Sequence, residues 1–312
     1  MWSSACKGLS MTRLPLAHVS DLLNEVSLAF PKLLNDSHVL CRSKDMSFCD
    51  ALKKPTVAIV GTRHPTPYGE RSCRRIIGEL SRYDVNVVSG GAMGVDRIVH
   101  EECLKRGVSN QAWVVGPVAS PSPQSQSRVF SALEARTGCA VLTPEILEPQ
   151  KGDRVLKYFW ILRNYWLVAC AKYLIVIEAL EKSGTWSTLE AALTFGVETF
   201  SLPGPIDSPQ SVGTNAMITR GCARAFEMKD FLTNSLLVPR PGNSYNLVKR
   251  RGGPIGPETA TGVAQTTQMT EVVADKIDAK VLVGSDEGAK QLDKVLTEEG
   301  WGWGAGKAFR KE

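Results

Sequence analysis

Three short glycine-bearing stretches carry the residue types that suit the holding of an anion. Gly61-Thr62-Arg63 follows the apolar run "TVAIV". Ser89-Gly90-Gly91-Ala92-Met93-Gly94 follows "VNVV", and Lys182-Ser183-Gly184-Thr185 follows "YLIVIEA". Glycine lets a backbone approach a ligand closely, and a helix start offers N–H groups to negative charge. Threonine and serine add hydroxyl donors, while Arg63 and Lys182 add positive charge where a phosphate would sit. A fourth candidate of the same kind is Gly213-Thr214-Asn215. Any one such loop is equally well a tight strand–helix turn. Three in one sheet, two of them beside a cation, point to a groove lined for phosphates.

Other chemistries are poorly served. "GTRHPTPYG" is not a dinucleotide-binding glycine fingerprint, and no G-x-x-x-x-G-K-[ST] run exists for an ATPase loop. No G-x-S-x-G elbow and no H-E-x-x-H pair occurs. Asp96 and His100 stand one helical turn apart, which suits either a catalytic pair or a satisfied helical histidine beside the sheet. Glu178 ends the strand "YLIVIE", a favourable place for function, although a lone carboxylate says little. "YFWILRNYW" packs five aromatics into nine residues whose spacing assigns most of them to the core. Arg163-Asn164 interrupts that apolar helix, and a charge so placed needs a partner, internal or ligand.

The elements that must position these residues follow a regular pattern from about residue 56. Short strand-like runs ("TVAIV", "VNVVS", "QAWVVG", "CAVLT", "YLIVIEA", "ETFSLPG") are interleaved with helix-like stretches such as "YGERSCRRIIGELSRY", "MGVDRIVHEECLKRG" and "STLEAALTFG". That alternation predicts an α/β fold, a Rossmann-like doubly wound and mostly parallel sheet with helices on both faces. The unbroken apolar character of "YLIVI" suits a strand covered on both sides. In such sheets, ligands bind beyond the carboxyl ends of the strands, which is where the glycine loops fall.

The chain of 312 residues is long enough for one large α/β domain with smaller flanking pieces. We divide it into an N-terminal extension at 1–54, partly ordered, and a core at 55–238. A flexible Pro/Gly/Thr-rich linker follows at 239–269, then a C-terminal tail at 270–312. Within that tail "GSDEGAKQLDKVLTEEG" suits one helix, while "WGWGAGKAFRKE" has too many glycines for a regular element. Lys plus Arg exceed Asp plus Glu by 37 to 32, a net charge of +5 that is compatible with a nucleic-acid partner without requiring one. Eight scattered cysteines with no C-x-x-C pair exclude a disulfide scaffold and a usual zinc site. They read as buried thiols in a reducing cytoplasm. No run of 18 apolar residues predicts a membrane span, and the first 20 residues do not read as a secretory signal.

In their order these motifs resemble the DprA/Smf family of bacterial DNA-processing proteins. Val57–Gly69 is similar to the family's "VAIVG-S/T-R…T-x-YG", and Ser89–His100 to its "SGGA-x-G-I/V-D-x-x-x-H". Phe159–Tyr165 resembles its "F-x-x-RNR" helix, and Val176–Thr188 its "V-x-EA-x-x-x-SG-[ST]-x-x-T" segment. Phe200–Gly204 and Gly213–Cys222 resemble two further motifs, so the likeness covers about 55 to 230. The resemblance implies a Rossmann-like domain that binds single-stranded DNA without catalytic turnover, cofactor or metal. It further implies protection of incoming DNA and loading of the RecA recombinase in natural transformation or recombination. It implies a homodimer and a cytoplasmic location, with no membrane contact. Carried over by position, its DNA groove comprises Gly61, Thr62, Arg63, Ser89, Gly90, Gly91, Ala92, Arg163, Asn164, Lys182, Ser183 and Gly184.

The chain departs from the family pattern in places. Tyr165 stands where the family has the second arginine of its RNR triplet, which weakens a salt bridge or a DNA contact. "VVGPVASPSPQSQ" replaces a family loop, and 270–312 does not clearly match the winged helix that many relatives carry. A competing expectation is a LOG-type nucleotide phosphoribohydrolase, partly matched by Gly184, Thr185 and Glu190 but lacking that group's "PGG". A nucleotide-sensing Rossmann-like protein using the same loops is the third.

Overall fold

The structure, a computed structural model, describes residues 10–14, 37–116, 123–146, 153–240, 301–304 and 307–310. Two strands come first, β1 (Ser10–Leu14) and β2 (Ser37–Ser43), followed by the short helix α1 (Ser47–Leu52). The glycine-loop region then runs β3 (Thr56–Val60), α2 (Pro67–Leu80), β4 (Asn86–Gly90), α3 (Val95–Arg106), β5 (Ser109–Trp113), α4 (Ser127–Glu134) and β6 (Ala140–Ile146). The long helix α5 (Asp153–Ala169) leads into β7 (Tyr173–Val176), α6 (Thr185–Thr194), β8 (Glu198–Ser201), α7 (Pro209–Thr219), β9 (Arg224–Ala225) and α8 (Met228–Asn234). β10 (Trp301–Gly304) and β11 (Lys307–Arg310) pair antiparallel with each other. The final stretch thus contains two strands despite its glycines, and "WGWG" has the alternation of period 2 that a strand uses. The expected tail helix over "GSDEGAKQLDKVLTEEG" lies outside the described residues, as do most of the linker and much of the extension.

Nine strands form one sheet in the order β1-β2-β6-β5-β4-β3-β7-β8-β9. Every pair from β6 to β9 is parallel, and the β1-β2 and β2-β6 pairs are antiparallel. The expected doubly wound, mostly parallel sheet is therefore present. β3 to β6 are laid down in one direction, and the chain then returns to place β7 on the other side of β3. The order reverses between β3 and β7, and at such a switch point the outgoing loops diverge and leave a crevice.

Part of the segment assigned to an N-terminal extension belongs to this sheet. β2 pairs with β6 from Ser37 opposite Ile146 to Ser43 opposite Ala140. Arg42 adds an ion pair to Glu134 on α4, 2.6 Å long and nearly closed to solvent. Loss of Arg42 would leave the buried Glu134 carboxylate without its ion-pair partner. At the far end of the core, Pro239 bridges to Tyr83, Asp84 N–H donates to the Val238 carbonyl, and Arg240 N–H donates to the Arg82 carbonyl. The chain is strapped to the α2–β4 turn as far as Arg240.

Strand alternation sorts the core into two layers. Ala58, Val60, Val88 and Leu174 face α5 and α6, where Trp113 and Trp166 stack with ring centroids 5.8 Å apart. Val57, Ile59, Val87 and Ile175 face α2 and α3. α2 presents Gly69, Cys73, Ile76, Ile77 and Leu80 to that layer. Each large aliphatic side chain so buried contributes about 1.5–3 kcal/mol. Seven cysteines are free thiols among the described residues. Burial pushes Cys41, Cys73 and Cys170 up to about 12, which keeps them protonated and inert.

Candidate nucleic-acid interface

The three glycine loops lie at the carboxyl ends of β3, β4 and β7, which are neighbours in the sheet. Gly61 has no room for a side chain, since a methyl there would stand 2.8 Å from Val95 and 3.1 Å from the Glu178 carbonyl. Thr62 N–H donates to that carbonyl at 2.7 Å, and Thr62 oxygen accepts from Val95 N–H at 3.1 Å. These bonds clamp the loop and leave Arg63 exposed at its tip.

Arg63 meets an aromatic ring from another element. Its guanidinium lies over Trp160 of α5, 5.7 Å from the ring centroid, and Arg163 lies over the same ring at 5.2 Å. Trp160 is partly exposed. One α5 face thus brings an aromatic plane to the strand ends, flanked by two cations. The sequence reading assigned this stretch mainly to core, and Trp166 is indeed core. The signal for Trp160 was its place three residues before Arg163, which puts both on one helix face.

Arg163 lies beneath the loops rather than on the surface. It is 7% exposed, donates from Nη1 to the Trp113 carbonyl at 3.1 Å, and leaves Nε without a partner. A methyl at Gly90 would collide with both the Arg163 guanidinium and the Asp96 carboxylate. The two side chains therefore converge on the one glycine that admits them. Asp96 Oδ2 accepts from Ala92 N–H at 3.1 Å. Burial raises the Asp96 carboxyl, against the pull of Arg163 and then of His100. Burial likewise lowers Arg163, with Asp96 opposing and Arg63 adding to the effect.

His100 is fully buried, with Nδ1 at 2.6 Å from Asn110 Oδ1 and Nε2 at 2.6 Å from the Gly90 carbonyl. Both ring nitrogens are engaged by the scaffold, which favours the satisfied-histidine reading over a catalytic pair. The Ser89 hydroxyl donates to the Ile59 carbonyl at 2.6 Å, tying β4 to β3. Gln126, from the stretch that replaces a family loop, donates to the carbonyls of Gly91 and Ala92 and holds the second loop from outside.

The third loop is built differently. Gly184 starts α6 with no side-chain cap, and a methyl there would meet nothing within 4 Å. Ser183 Oγ is buried with no hydrogen-bond partner, and Lys182 is exposed beside it. Asn164, 7% exposed, donates to Ser187 Oγ at 2.8 Å, and Ser187 Oγ donates to the Gly184 carbonyl at 2.7 Å. Asn164 thus fixes the loop from below. The arrangement leaves a helix start without a side-chain cap, an unpaired hydroxyl and an exposed cation, which together suit one phosphate.

Of the twelve predicted groove residues, Arg63, Lys182 and Gly184 are exposed, and Gly61, Ala92 and Ser183 are half-buried. Thr62, Ser89, Gly90, Gly91, Arg163 and Asn164 are buried and shape the loops from within. The fourth glycine candidate is internal to α7. Asn215 exchanges two hydrogen bonds with Gly204, and a methyl on Gly213 would strike the carbonyls of Ala179 and Leu180 at 2.5 Å. Tyr165 packs edge-on against Phe195, with centroids 5.8 Å apart, so this position serves the contact between α5 and α6. Glu190 stands exposed on α6, six residues beyond Gly184 and hence about 9 Å along the helix. Among the described residues, no cluster of three His, Cys, Asp or Glu could hold a metal, and no helix is long and apolar enough to cross a membrane.

A family model described as DNA recombination-mediator protein A matches residues 46–236. Protein Smf of Escherichia coli (strain K12) is 28% identical over 232 residues, covering 72% of this chain and 61% of that protein. Among solved structures, DNA processing protein A of Helicobacter pylori, a protein with a unique single-stranded DNA binding mode, matches with TM-score 0.55 and 25% identity. That match covers 72% of this chain and 94% of the other. DNA processing protein A of Streptococcus pneumoniae matches with TM-score 0.56 and 25% identity, over 71% and 78% of the two chains. The chain spans between 45% and 62% of the length of the curated relatives it matches.

Proposed function

The chain belongs to the DNA recombination-mediator protein A family, and on that premise we propose that it binds single-stranded DNA across the carboxyl ends of β3, β4 and β7. The observation that carries the proposal is the pairing of Arg63 with the partly exposed Trp160 ring. A guanidinium beside an aromatic plane suits a phosphate followed by an unstacked base, and bases in a duplex are not available to such a plane. The second phosphate position is the start of α6, uncapped by any side chain, with Lys182 and the unpaired Ser183 hydroxyl.

This is binding without turnover. Asp96 and Glu178, the buried carboxylates nearest the loops, are both taken up by backbone N–H groups. The proposal extends, through the family resemblance, to protection of incoming DNA, loading of RecA, a homodimer and a cytoplasmic location. A titration with a single-stranded oligonucleotide, the matching duplex and free nucleotides tests it. Tightest binding to the single strand is expected, and equal or tighter binding to the duplex would overturn it.

A further inference from the structure

The crevice at the β3–β7 switch point is where an α/β sheet most readily takes a nucleotide, with its phosphate on the helix start. Here that helix start is α2, and Glu178 and Thr66 take up donors there. Glu178, at the end of β7 and 1% exposed, reaches across the crevice. Its Oε2 accepts from Thr66 N–H at 2.8 Å and its Oε1 accepts from the Thr66 hydroxyl at 2.5 Å. Thr66 Oγ1 accepts in turn from Gly69 N–H at 3.2 Å, and Pro67 has no N–H to give. The space is shaped to the carboxylate as well, because a methyl on Gly69 would collide with the Glu178 carboxyl group. α3 repeats the device with Asp96 on Ala92 N–H. α6 does not, and no side chain caps its start.

We propose that Glu178 is a specificity-determining residue: the negative charge that its carboxylate sets in the switch-point crevice repels the phosphate of a free nucleotide and bars it from the crevice. The idea deepens the single-strand reading and rests on it. A mononucleotide needs one good phosphate site and is refused one, whereas an extended strand is held at several points along the flanking loops. Free nucleotides then cannot compete with DNA. A carboxylate that served only to anchor the loop could be replaced by an isosteric amide with no new ligand gained.

The test compares wild type with Glu178→Gln and Glu178→Ala, titrated with AMP and with inorganic phosphate. Gln keeps both bonds to Thr66, accepting through its oxygen and donating through its nitrogen, so E178Q retains the fold and decides the matter even where E178A does not fold. Removing a like charge within several ångströms of a phosphate strengthens AMP binding by at least about tenfold at an effective dielectric near 20. AMP then displaces a bound single-stranded oligonucleotide from E178Q but not from wild type. E178A, which also opens space, binds AMP more tightly still. A folded E178Q with wild-type affinity for AMP and phosphate overturns the proposal. Failure of wild type to bind the oligonucleotide overturns the single-strand reading instead, while the AMP comparison still decides the role of Glu178.

Discussion

The Arg63 guanidinium lies 5.7 Å from the centroid of the Trp160 ring, although the two residues stand 97 positions apart in the chain (160 less 63). The loop after β3 supplies the charge and the long helix before β7 supplies the plane. Arg163, on the same helix face as Trp160, braces the ring from the interior. This junction has consequences that separate charge from stacking.

Trp160→Ala is expected to weaken single-strand binding by about 1–3 kcal/mol, the usual worth of one base stacked on an aromatic ring. The dependence on salt should be unchanged, since no phosphate contact is lost. Trp160→Phe should recover part of the affinity. Fluorescence anisotropy with a labelled oligonucleotide at several salt concentrations measures all three.

Arg63→Ala and Lys182→Ala are expected to behave in the opposite sense. Each should lower affinity across all sequences and flatten the slope of log K against log salt by about 0.7, the counterion release of one phosphate contact on a single strand. Base identity should matter little. Unchanged slopes in folded variants would place the phosphates elsewhere.

Gly90→Ala would drive a methyl into Arg163 and Asp96 at once. Overpacking of this kind costs about 1–3 kcal/mol, and both side chains that brace the loops would have to move. A lower midpoint of denaturation together with weaker DNA binding is expected. Gly184→Ala serves as the control for stability alone, because a methyl there meets nothing in the protein.

Asp96 gives stability a pH dependence of definite sign. Burial raises its carboxyl in the folded state, so the native protein holds that proton more tightly than the unfolded chain does. The contribution is complete below the ordinary aspartate value of about 3.9 and is lost as pH rises through the raised folded value. Asp96→Asn should remove that part of the slope while keeping an acceptor for Ala92 N–H. Urea denaturation of both proteins across that window measures the difference.

The strand positions and the three loops were legible because a parallel sheet writes its strands as short apolar runs and its ligand edge as glycines. The depth of each residue was not. "FWILRN" gives no sign that Arg163 turns inward to Gly90, because the space it fills is created by β4 and α3. Trp160 was lost among neighbouring core aromatics, although its spacing from Arg163 marked the exposed face. The pairing of β2 with β6 joins segments remote in sequence, and no local pattern in "HVLCRS" names its partner. Glu178 stood at a promising strand end, but its bond to Thr66 depends on the crossing that sets β7 beside β3.

Photochemical cross-linking tests the central claim most directly. A single-stranded oligonucleotide carrying 5-bromouracil is bound to the protein, irradiated and mapped after tryptic digestion. The account predicts attachment within the peptide Tyr158–Arg163, at Trp160, with Arg63→Ala reducing the yield. Attachment confined to the amino ends of the strands, around Lys54 and Asp84, would contradict it.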